Sequence, residues 1–79
     1  MNDIADAAAE IWSKFLRTER PAPDQNFFEA GGDSVMAMVL TFALGERFGI
    51  ELLPEAIFDA PTFGALCALI EERLALPVG

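Results

Sequence analysis

Asn26-Phe27-Phe28-Glu29-Ala30-Gly31-Gly32-Asp33-Ser34-Val35 sets two aromatics, two glycines, an acid and a hydroxyl at the threshold of an apolar run. Upstream, residues 18–33 hold Pro21, Pro23, Asn26, Gly31 and Gly32, which disfavour a helix. Downstream, a helix is expected from Ser34 to near Phe48, with Gly49 as its stop. A loop this long in a small domain is usually anchored or functional. Phe27 and Phe28 are the expected anchors, at least one of them folded onto the core. Two glycines leave the backbone bare enough for another protein to approach. Ser34 then stands at the positive end of a helix dipole, beside unpaired N–H groups, where a phosphate ester is favoured. The plain reading of these four residues is a turn and an N-cap.

The helix that follows has two apolar sides. At about 100° per residue, Ala37, Leu40, Thr41, Leu44 and Phe48 share one stripe. Val35, Met38, Val39 and Phe42 share the other, which Glu46 continues. A charged end points to solvent, so the first stripe is assigned to the core and the second to the surface. An exposed apolar patch on a soluble protein signals docking, and Met suits a surface that meets several partners. The competing reading is that the long loop or another helix covers this face.

Further out, a first helix is expected over residues 3–17, with Ile4, Ala8, Ile11, Trp12, Phe15 and Leu16 at helical spacing. Its acids precede Lys14 and Arg17, as the dipole prefers, and Glu10 can pair with Lys14. A short third helix is expected over residues 54–58, opened by Pro54. A fourth runs from behind Thr62, its N-cap, to about Leu74, with Phe63, Leu66, Ile70 and Leu74 as its stripe. Residues 1–79 read as one domain with a core over about 4–74 and a tail over 75–79. No strand longer than residues 50–53 suggests itself, so the fold class is all-α.

Composition narrows the chemistry. The 79 residues include 13 acids, 5 basic residues, no His, no Tyr and one Cys, for a net charge of -8. Absence of His removes the commonest general base and metal ligand. A lone Cys67 makes neither a disulfide framework nor a thiolate zinc site, and is expected as a small buried hydrophobe in a reducing, cytoplasmic setting. The acidic balance argues against binding nucleic-acid phosphates. No signal peptide and no run of 18 apolar residues is visible. Without a base to activate it, Ser34 is a poor nucleophile, so a Ser modified by another enzyme fits better than a catalytic Ser. Asp24, Glu29 and Asp33 are not paired as acid and base, and no metal site is expected. A hydrophobic share of 53% is nonetheless high for so acidic a chain.

The quoted decapeptide, with Ile11-Trp12 upstream and Phe48-Gly49-Ile50-Glu51-Leu52 and Phe58-Asp59-Ala60-Pro61-Thr62 downstream, resembles a peptidyl carrier protein of nonribosomal peptide synthesis, within the acyl carrier protein superfamily. The resemblance runs over about residues 4–74. It implies an acyl-carrier-like, right-handed four-helix bundle with a short third helix and a long loop between helices 1 and 2. It implies that a phosphopantetheinyl transferase moves 4'-phosphopantetheine from coenzyme A onto Ser34, reading Gly31, Gly32 and Asp33. The arm's thiol then carries an aminoacyl or acyl group as a thioester. The implied partners are that transferase, an adenylation or acyl-loading enzyme, and downstream condensation or tailoring enzymes, with no nucleic acid and no membrane. The implied docking face is Val35, Met38, Val39, Phe42, Ile57 and Phe58, on a chain expected to be monomeric and non-catalytic.

The chain also departs from the family pattern. Ala30 stands where Leu is common, and Pro21 where an aliphatic residue is usual. Leu53-Pro54 reverses the usual order, which shifts the expected start of the third helix. Val39, Phe42 and Ala43 are apolar where polar or basic residues are common, pointing to a dedicated, more hydrophobic interface. The alternatives are a fatty-acid or polyketide acyl carrier and an unmodified helical interaction module. A discrete carrier, rather than a piece cut from a megasynthase, is the expectation.

Overall fold

The computed structural model describes residues 3–75. Among them the regular elements are α-helices: α1 (Asp3–Leu16), α2 (Ser34–Phe48), α3 (Glu55–Asp59) and α4 (Phe63–Ala75). The expected tail beyond Ala75 lies outside the described residues. α1 packs on α2 and α4, and α2 on α3.

The punctuation of α2 is local. Asp33 is its N-cap, in extended conformation (φ -135°), and its Oδ1 accepts from the Met36 N–H at 2.8 Å. The cap is therefore Asp33, and Ser34 is the first helical residue. A carboxylate at the N-cap meets both an orphan donor and the positive dipole end. Gly49 closes the helix in the left-handed region (φ 68°), where glycine carries no Cβ penalty. At the other ends, α1 stops at Leu16, one residue before the expected Arg17. α3 is shifted by one residue, with Pro54 as its N-cap (φ -55°). Thr62 caps α4 as expected, its Oγ1 accepting from the Ala65 N–H at 3.3 Å.

The core joins α1, the long loop and α4 through aromatics. Trp12 lies edge-on to Phe27 (5.8 Å between centroids) and to Phe63 (5.4 Å). Its indole N–H is not stranded, because Nε1 donates to Gln25 Oε1 at 2.7 Å. A buried Trp needs such a partner. Ala37, Leu40, Thr41 and Leu44 of α2 are buried as assigned. The Thr41 hydroxyl donates back to the Ala37 carbonyl at 2.8 Å, which satisfies the polar atom inside the core. Phe48 is only half-buried, and Leu74, expected on the inner stripe of α4, is exposed because that helix outruns the core. On α1 the described ion pair is Arg20 with Asp6 (2.9 Å), not the expected Glu10–Lys14 pair.

The long loop is stitched to α4 rather than left free. The Phe27 N–H donates to the Pro61 carbonyl (2.7 Å), Phe63 N–H to Gln25 (2.9 Å) and Gly64 N–H to Pro23 (2.8 Å). Two of the orphan donors of α4 are thus satisfied by loop carbonyls. Asn26 fixes the bend, its Oδ1 accepting from the N–H groups of Phe28 (2.8 Å) and Glu29 (3.2 Å). Pro21 is buried and so fills the place of the usual aliphatic residue.

Candidate functional site

The loop delivers Gly31, Gly32 and Asp33 to the head of α2, and each has an intramolecular reason to be what it is. Gly31 adopts φ +103°, a conformation that side chains rarely take, and the space a Cβ would enter is open. At Gly32 a Cβ would run into the ring of Phe27, which is fully buried. Asp33 is the cap just described. Together they leave Ser34 exposed. Among the described residues, neither the Ser34 hydroxyl nor the N–H groups of Ser34 and Val35 have a hydrogen-bond partner. An unencumbered hydroxyl at a helix start, with open space at Gly31 and two unengaged donors, fits the attachment of a phosphodiester.

One residue further on, the apolar face begins. Val35 (69% exposed), Met38, Val39 and Phe42 (69%) stand out from α2, and neither the long loop nor another helix covers them. Phe58 and Leu53 extend the exposed surface around α3. Ile57 does not belong to it: its side chain is 0% exposed. Adjacent helical positions point about 100° apart, so the same short α3 that presents Phe58 outward turns Ala56 and Ile57 into the core. An open groove of ≈ 390 Å³ lies on this side, lined by Met38, Val39, Thr41, Phe42, Leu52 and Pro54.

The partner of one expected anchor, Phe28, and the residue Gln25 escaped the sequence reading. Phe28 is half-out of the core, edge-on to Phe27 (5.2 Å) and tilted against Phe58 (5.2 Å, 33°). It clasps the loop to α3. Its pairing joins positions thirty residues apart, for which periodicity offers no signal. Gln25, the Trp12 partner, was findable in principle, since a core Trp demands an acceptor.

Cys67 is buried, and burial pushes its thiol up to about 11, helped by the Glu71 carboxylate and opposed by Arg20. It is a packing residue and not a nucleophile at neutral pH. Among the described residues no acidic or sulfur cluster could hold a metal ion, and no helix is long and apolar enough to cross a membrane.

A helical bundle that exposes one hydroxyl at the head of an apolar helix face is the build of a carrier domain, and comparison with known proteins agrees. The family described as "Phosphopantetheine attachment site" matches residues 6–70. Gramicidin S synthase 2 of Brevibacillus brevis is 35% identical over 71 residues, 90% of this chain but 2% of that protein. The chain spans no more than 5% of the first curated relatives it matches. The solution structure of an active-site mutant peptidyl carrier protein superposes with a TM-score of 0.87 at 27% identity, covering 99% of this chain and 87% of that one. A structure of the phosphopantetheine transferase Sfp in complex with coenzyme A and a peptidyl carrier protein gives a TM-score of 0.84 at 29% identity, with 92% and 95% covered. The chain belongs to the phosphopantetheine-attachment-site family, whose members bear a covalent phosphopantetheine. Within it the chain has the carrier-protein fold and is peptidyl-carrier-like; carriers of this kind are generally non-catalytic.

Proposed function

We propose that Ser34 is the attachment residue for 4'-phosphopantetheine and that residues 3–75 form one carrier domain of nonribosomal peptide-type biosynthesis. The observation that carries this reading is the Ser34 hydroxyl itself, exposed, unbonded and seated on the first turn of α2 in a chain without His. When bound, the arm supplies a thiol that holds an aminoacyl or acyl group as a thioester. This chain's own residues then position and present; they break no bonds. Gly31 and Gly32 shape the approach to the hydroxyl, and Asp33 orders the turn below it. Val35, Met38, Val39, Phe42 and Phe58 form the docking face, and Ile57 supports it from beneath.

The partners are a phosphopantetheinyl transferase, an adenylation or other loading enzyme, and condensation or tailoring enzymes. The apolar α2 face selects partners with a matching apolar patch. Tethering makes delivery intramolecular, with effective concentrations in the mM range for a short flexible link. A free, buried Cys67 is consistent with a cytoplasmic setting.

The test is intact mass after incubation with coenzyme A and a broad-specificity transferase. Wild type is expected to gain one phosphopantetheinyl group and Ser34→Ala none. No gain in wild type, or a gain in the Ala variant, would overturn the assignment.

A further inference from the structure

The protein has five basic side chains, and three of them are engaged. Arg20 pairs with Asp6 at 2.9 Å, Arg47 sits 5.6 Å above the Phe48 ring, and Arg73 donates to the Glu51 carbonyl at 3.3 Å. Lys14 and Arg17 have no such partner among the described residues, and both line one groove, of ≈ 500 Å³, with Phe15, Leu16, Gly31 and Met36. In a chain of net charge -8, placing the two unengaged cations together leaves a local site for an anion.

The groove borders Ser34 on both sides along the chain. Gly31 lies three residues before it and Met36 two residues after, a rise of about 3 Å along the helix. Arg17 reaches its place through the left-handed region (φ 56°), which glycine enters more easily. That turn ends α1, and the Thr18 N–H folds back to the Ser13 carbonyl at 3.1 Å.

We propose that this groove is the resting site of the arm carried by Ser34. Lys14 and Arg17 face its phosphodiester, and Phe15, Leu16 and Met36 receive its apolar stretch. The inference rests on the attachment proposed above. The arm's chain, about 14 bonds from the serine oxygen to sulfur, extends roughly 17 Å at backbone-like reach, ample to span the groove. The groove on the opposite side of α2 has no charged residue in its lining, so a phosphodiester gains no ion pair there. Resting on the α1 side keeps the thiol end off the apolar docking face until a partner takes it.

Backbone amide shifts of the apo and phosphopantetheinylated protein test this. The expected changes reach residues 14–17 as well as 31–36. They should fall at least twofold in the Lys14→Gln/Arg17→Gln variant, and also in wild type at about 1 M salt, where the screening length is roughly 3 Å. Both substituted side chains are exposed, and circular dichroism checks that the variant is folded. If it is not, the salt series on wild type decides. Changes confined to residues 31–36, changes running instead toward Val39 and Phe42, or changes at 14–17 that survive both treatments would overturn the proposal. Intact mass, taken first, separates these outcomes from failure of attachment: without a mass gain it is the Ser34 reading that falls, and this one with it.

Discussion

Gly31 and Gly32 are neighbours with different duties, and substitution tells them apart. Gly32→Ala drives a methyl into the buried Phe27 ring. Overpacking of this kind costs about 1–3 kcal/mol. Gly31→Ala meets no atom and strains only the backbone at φ +103°, a penalty of about 1–3 kcal/mol. Chemical denaturation should therefore show both variants less stable than wild type, and only Gly32→Ala should disturb the Trp12–Phe27 contact, read by Trp12 fluorescence. A Gly32→Ala variant as stable as wild type would mean that the Phe27 ring yields. The thiol of Cys67 offers a second prediction at this scale. Pushed from its ordinary 9.0 to about 11, it stays protonated at pH 8. Apo protein should react slowly with a maleimide, and the phosphopantetheinylated protein should gain one fast-reacting thiol. The sign for stability follows: the thiolate is disfavoured in the fold, so any stability held by the neutral thiol is lost as pH rises from about 9 through 11. Rapid labelling of apo protein at pH 8 would show that Cys67 is not protected.

At the scale of the element, α2 has two faces with separate roles. Leu40 is fully buried, so Leu40→Ala should cost about 2–5 kcal/mol and lower the unfolding midpoint sharply. Phe42 is 69% exposed, so Phe42→Asp should leave the helical circular dichroism intact. It should weaken loading or onward transfer at least several-fold, since it places a charge in the proposed docking patch. Unfolding of Phe42→Asp would show that the faces are assigned the wrong way round. These faces were legible in the sequence because α2 is long enough for its 3.6-residue period to separate Leu40 and Leu44 from Met38 and Phe42, and because Glu46 marks the outer stripe. The five residues of α3 give no such separation. Ile57 and Phe58 are equally apolar neighbours, and only packing against α2 decides which turns inward.

On the scale of the whole molecule, 13 acids against 5 basic residues leave a net charge of -8 to be held in a small volume. The described ion pair, Arg20 with Asp6, is exposed on both sides and contributes at most about 1 kcal/mol. Self-repulsion therefore works against the fold. Raising salt to about 0.5 M should raise Tm by several degrees, since roughly 1 kcal/mol corresponds to about 4–8 °C for a domain this size. A Tm that falls or stays constant would mean that attractive pairs outweigh the repulsion. Docking through the apolar face should, by contrast, vary little with salt.

The amino-acid sequence alone determined the helical class, the breaks between elements, the inner and outer faces of α2 and the position of Ser34 at its head. Those depend on neighbours within a turn or two: the spacing of apolar residues, the Asp33 and Thr62 caps, and the breaks at Gly49 and Pro61. The tertiary structure decided the rest. It turned Ile57 into the core, set Phe28 on Phe58, gave Trp12 its Gln25 acceptor, put the Phe27 ring where a Gly32 side chain would be, and left Lys14 and Arg17 together beside Gly31. Each of these joins positions distant along the chain, and no local pattern encodes which distant residue will arrive to fill a space or satisfy a donor.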